Sequence, residues 1–234
     1  MERKWIRVPI MVLGIVLSAA AFVLRSLHPA SGGLVLAVLS AVAVVLFAVC
    51  ARLLQPGTTY GAGNSRSLAQ LIVGGLSGFL ALIGGLVLLA EGNAPVIAVG
   101  VLVVAFCWLS TVYLRQTDRT VSVWLYTIPA LFFALELIME FRHWGGDPQI
   151  MHYCYELLGL ICAMFAVFHM GSFCFEQGKR RLAVFACLCG IFFSSAALAD
   201  LQDGRRWMQA ATILWLGINA WQLLRPMKKT DGMK

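Results

Sequence analysis

The chain has 234 residues, 60% of them hydrophobic and 12% charged, with a formal charge of +7. Those proportions lie far from a soluble domain, and the apolar stretches leave no segment large enough for a water-soluble one. The basic residues are scattered with no recognition motif beside them, which argues against a nucleic-acid partner and for contact with the anionic lipid of a bilayer.

Eight apolar stretches approach the ~20 residues that a ~30 Å hydrocarbon core requires. They run over 8–24, 32–51, 68–90, 95–114, 121–141, 150–175, 182–199 and 207–224. The expected fold is all-α, a polytopic integral membrane helical bundle of eight transmembrane helices forming one domain, 1–234. Of the 18 basic residues, only Arg25, Arg142, Arg205 and Arg206 fall on the side opposite the N-terminus. With connections this short the positive-inside rule applies, and it predicts both termini in the cytoplasm, N-in and C-in. The expected location is a plasma membrane of bacterial type.

The first stretch has a basic start, but Arg25-Ser-Leu-His-Pro is a poor cleavage site, so it is expected to remain as a span. In the second, Gly33, Ala37 and Ala41 form a short stripe of small residues. The third carries a longer one: Gly74, Gly78, Ala81 and Gly85 recur at helical spacing on one face. Such a stripe lets a neighbouring backbone approach closely, a principal source of helix association in lipid. It is expected as a packing seam, within the bundle or against a membrane protein partner.

Composition shifts near residue 120. The first part, 1–119, is rich in small residues; 120–234 carries most of the Phe, Cys and Met and three of the four histidines. Pro129 is expected to kink the fifth helix. Beyond it, Glu136, Glu140 and His143 are spaced i, i+4, i+7 and share a face. On the sixth stretch His152 and Glu156 are four apart. With a turn at Trp144-Gly-Gly-Asp-Pro148, Glu136 and Glu156 each lie about seven residues in, roughly 10 Å at 1.5 Å per residue. The two carboxylates are therefore expected to face each other at equal depth, with Glu140 and His152 as the next layer out and His143 completing a cup with Tyr153 or Tyr155. An acid at that depth costs ~2.5–3.5 kcal/mol even on a lenient scale, so both should turn inward, sharing a proton or a cation.

Three readings compete for this cup. A small-solute or cation site in a carrier needs acids and tolerates loose geometry. A metal site is chemically reasonable for imidazole and carboxylate, yet neither HExxH nor a paired Glu-x-x-His is present. Structural pinning would pair the acids with Arg142, Arg205 or Arg206. Elsewhere, His169 and Asn219 are expected to pack and to bond between helices. Ser194 and Ser195 lack a nucleophile elbow. Seven cysteines within the spans read as apolar packers and not a disulfide framework. Similar exits at Ala51-Arg-Leu-Leu-Gln-Pro56 and Trp221-Gln-Leu-Leu-Arg-Pro226 are weak traces of duplication. The sequence names no cofactor, and without Walker, Rossmann or kinase motifs it leans away from an enzyme. The expectation is a transport-type or transporter-accessory protein with an outward-facing Glu/His pocket.

Overall fold

The computed structural model describes residues 7–27, 33–54, 56–57, 67–92, 95–117, 119–144, 153–201 and 203–225. Among these residues there are eight long helices and no strand. They are α1 (Arg7–Leu27), α2 (Gly33–Leu53), α3 (Leu68–Glu91), α4 (Pro95–Gln116), α5 (Trp124–Trp144), α6 (Cys154–Ser172), α7 (Arg180–Ala197) and α8 (Asp203–Leu223). A short 3₁₀ turn, Phe173–Phe175, extends α6.

Local chemistry sets several of the boundaries. Pro95 opens α4, where its missing N–H has no intrahelical partner to lose. Gly92 closes α3 in the left-handed region at φ 70°, which a residue without Cβ adopts freely. Pro129 lies inside α5. At the end of α8 the buried guanidinium of Arg180 donates to the carbonyls of Leu223 (2.5 Å) and Arg225 (2.6 Å), satisfying acceptors that the helix leaves open.

Side-chain contacts fix the helix directions. The ends of α1 and α7 meet through Arg25 and Asp200, and the end of α3 meets the start of α8 through Glu91 and Gly204. At the opposite end of the bundle, the end of α4 meets the start of α5 and the end of α8 through Arg115. Packing contacts run α3 to α4, α4 to α5, α5 to α6, α6 to α7, α7 to α8 and α8 back to α3. Six helices therefore close a ring, and α1 and α2 lie against α7 outside it. This makes α7 the most enclosed helix, with 15 of its 18 residues buried. The outward faces are apolar: Leu34, Val96, Phe106, Leu131 and Phe168 are all exposed. Such a surface suits hydrocarbon and not water.

Seven of the helices are long and apolar enough to cross a membrane. The eighth, α8, matches them in length at 21 residues but is more polar, for a reason that lies inside the ring. Arg205, Gln209, Thr212, Asn219 and Gln222 recur along one face of α8, and the last four are buried. Two boundaries also differ from expectation. The eighth helix starts at Asp203, so Arg205 and Arg206 belong to its first turns and not to a loop. The sixth starts at Cys154, several residues later than the apolar run suggests, because hydrophobicity marks the membrane and not the helix end.

The small-residue stripe of α3 packs within the chain. Gly74, Gly78, Ala81 and Gly85 are all buried. A Cβ on Gly74 would meet Val112, on Gly78 Leu109 and on Gly85 Leu102, all residues of α4. At these positions the stripe meets the neighbouring helix. Gly84, not part of the predicted stripe, opposes Gly204 of α8 just as closely. The described cysteines are all free; Cys107, Cys187 and Cys189 are buried and Cys174 is exposed.

Candidate functional site

Where α5 ends and α6 begins, acids converge with arginines from the far side of the ring. Glu140 of α5 is 2% exposed and forms an ion pair with Nη1 of Arg205 in α8. The same nitrogen lies 3.6 Å from Oε1 of Glu156 in α6. One guanidinium thus ties three helices. Beside it, Arg25 of α1 donates from Nε to Asp200 Oδ2 at 2.6 Å and stands 5.7 Å from the ring centroid of Tyr155.

The equal depth of Glu136 and Glu156 is not what the helix boundaries produce. With α6 beginning at Cys154, Glu156 occupies its first turn, level with Glu140. Glu136, four residues before Glu140, lies one turn deeper. It remains within electrostatic reach of Glu156, Glu140 and Arg205. His143 closes α5 as the penultimate helical residue, but its side chain is outside the described set, and His152 lies outside the described residues altogether. Of the predicted cup, the structure therefore brings together Glu136, Glu140 and Glu156. Among the described residues no three His, Cys, Asp or Glu converge to hold a metal ion. Of the three predicted arginine partners Arg205 engages these acids, whereas Arg206 donates to the Leu201 carbonyl at 2.9 Å and Arg142 is exposed.

Apart from Glu136, the deeper layer was not legible as a site. Glu136 is 5% exposed, and among the described residues its Oε2 has no hydrogen-bond partner. Of the six other buried side-chain atoms in the same condition among the described residues, two belong to this region: Ser194 Oγ of α7 and Gln209 Nε2 of α8. Both converge on Gly159 of α6, where a Cβ would stand 3.2 Å from each. Gln209 is one turn in from Arg205, Gly159 one turn in from Glu156, and Glu136 one turn in from Glu140, so the three helices present a second layer directly beneath the first. The signal available was the spacing of Arg205 to Gln209 and onward along α8. It is hidden when the helix is started at Trp207.

Buried polar groups without partners are rare and call for an explanation. The charge balance adds to it: among the described residues, ion pairs set Glu140 and Glu156 against Arg205 and Asp200 against Arg25, with Glu136 a further acid near Arg205. An arrangement with more acids than guanidinium groups attracts cations or protons and repels anions.

The opposite end of the ring has its own polar centre. Arg115 of α4 is buried and donates through Nη1 to Asn219 Oδ1 (3.2 Å) and Gln222 Oε1 (3.0 Å), and through Nη2 to the Tyr126 hydroxyl. Between the two centres Trp108 and Trp215 stack across the ring with centroids 5.0 Å apart and planes at 10°. Asn219 thus bonds between helices, as expected from its place in an apolar stretch. His169 packs its ring edge-on against Phe165, with centroids 4.6 Å apart.

Comparison with known proteins brings no match among family models, curated proteins or solved structures. The functional reading therefore rests on the site.

Proposed function

We propose that the protein is a transport-type membrane protein, carrier or carrier subunit, whose polar cluster binds a small solute or ion, with the charge balance favouring a cation. In this reading the chain crosses a bacterial-type plasma membrane eight times with both termini cytoplasmic, α8 included, and the cluster opens to the outside. The distribution of basic residues supports that orientation. The length of α8 and the inward direction of its polar face support the eighth crossing.

The observation that carries the proposal is the unpartnered carboxylate oxygen of Glu136, buried beneath an acid pair already joined to Arg205. Fold maintenance alone gains nothing from an unpaired buried acid, whose burial costs several kcal/mol on the order of its desolvation. A site that loads and unloads a cation needs such a group.

Reconstituted protein on a supported membrane, exposed to rapid jumps of proton, sodium or potassium concentration, should give a transient charge movement with at least one of them. Glu136→Gln should abolish it while leaving the folded yield unchanged. Silence in the wild type with all three ions, or equal currents in the variant, would sink the proposal. The Arg205 bridge favours a second reading, in which the cluster pins α5, α6 and α8. On that reading Glu140→Gln lowers stability, Glu136→Gln does not, and neither protein moves charge.

A further inference from the structure

The orphaned groups of the deeper layer specify what they bind. Glu136 Oε2, Ser194 Oγ and Gln209 Nε2 come from α5, α7 and α8, and their residues are 5%, 0% and 5% exposed. Gly159 of α6 forms the floor: a Cβ there would lie 3.2 Å from both Ser194 Oγ and Gln209 Nε2, and 3.3 Å from the Ser194 amide nitrogen. Three helices thus meet at a small polar spot beside Gly159, and Glu136 of α5, one turn in from Glu140 as Gln209 is one turn in from Arg205, lies in the same layer.

We propose that this spot is a proton-binding site, in which Glu136 is a neutral carboxylic acid joined through one water molecule to the Ser194 hydroxyl and the Gln209 amide. The inference deepens the cation reading above and rests on it for its role, though not for its chemistry.

The hydrogen-bond inventory leads to this occupant. A buried water makes about three hydrogen bonds to groups that otherwise lack partners, and three such groups are present. The Gln209 N–H can only donate, so the water oxygen accepts it. The Ser194 hydroxyl and a protonated carboxyl can each donate or accept, so one supplies the second bond to the water and the other receives a bond from it. A metal ion meets a poorer set, because the amide presents N–H toward it and leaves the carboxylate and one hydroxyl as ligands.

The surrounding charges agree. On the same helix Glu140 is paired with Arg205; on α6 Glu156 shares that guanidinium; beyond α7 Asp200 takes Arg25 of α1. Arg25 and Arg205 are thus engaged in the outer layer, and Glu136 adds a further acid within reach of Arg205. Neutralising it by a proton removes a buried charge without requiring a third cation. The outer layer lies between this site and the end of the bundle, so a proton reaching Glu136 passes the Glu140, Glu156 and Arg205 group.

Infrared spectroscopy of the full chain in lipid tests the idea directly. At neutral pH the wild type should show the carbonyl stretch of a protonated carboxyl, absent in Glu136→Gln. Ser194→Ala and Gly159→Ala, which leave the acid in place and alter what bonds to it, should keep the band and shift its frequency. A wild type with no such band overturns the proposal, as does a band that survives Glu136→Gln or one removed by adding sodium at constant pH. An unchanged frequency in Ser194→Ala overturns the water bridge. The band also separates this inference from the broader reading: with the band and no ion currents, the proton site stands and transport falls. Currents that depend on Glu136 with no band have the reverse meaning.

Discussion

Replacing Gly84 by alanine should weaken the bundle where α3 and α8 touch backbone to backbone. The new Cβ would lie 2.9 Å from the Gly204 carbonyl oxygen, 3.0 Å from the Met208 nitrogen and 3.2 Å from the Trp207 Cβ. Carbon contacts settle near 3.5–4.0 Å, so α8 must retreat by roughly 0.5–1 Å. Two of these obstacles are main-chain atoms, which no rotamer change can move. Overpacking of this kind costs about 1–3 kcal/mol, of which a better helix former returns about 0.5–1 kcal/mol. The net loss is about 0–2.5 kcal/mol and centres near about 1 kcal/mol, or a few degrees at about 2–4 °C per kcal/mol. Two glycines on the same helix calibrate it. Gly75 has nothing within 4 Å of its Cβ position, so Gly75→Ala should be stabilising. Gly78 faces only the Leu109 side chain, at 2.5 and 2.6 Å, which can swing aside, so its variant should lie between. Thermal unfolding followed with a thiol-reactive dye reads the order, since Cys107, Cys187 and Cys189 are buried until the bundle opens. A Gly84→Ala midpoint at or above that of Gly75→Ala would refute the close approach.

Arg115→Met should cost about 3 kcal/mol or more, because Asn219, Gln222 and Tyr126 each lose a charged donor at about 1.5–3 kcal/mol per bond; the same dye assay measures it, and a loss below that of Gly78→Ala would contradict the geometry. Reporter fusions at Arg119, Lys179 and Lys229 should read cytoplasmic and one at Asp147 external, while an external signal from Lys229 would remove the eighth crossing.

Much of the candidate site was legible because acids in an apolar stretch are costly and must turn inward. Glu136, Glu140 and Glu156 could be chosen on that ground, with Arg205 among their possible partners. Their relative depth could not, because it depended on where α6 begins, and apolar residues continue past a helix end as readily as within it. Ser194 and Gln209 were hidden for another reason: a lone serine or glutamine is tolerated in many packed helices, and only the convergence of α6, α7 and α8 at Gly159 makes these two neighbours.

Sequence by itself determined the class of the molecule, since apolar stretches of membrane length follow from the cost of polar groups in lipid. It also determined which face of α3 would pack, because small residues at helical spacing define a surface whatever they meet. Only the tertiary structure decided what meets what. In a nearly uniform apolar helix there is no strong moment to set its rotation, so ring order, the burial of the polar face of α8 and the pairing of Arg205 with acids far away in sequence emerge from packing. For the same reason, the unpartnered oxygen of Glu136 can be seen only once every neighbouring helix is in place.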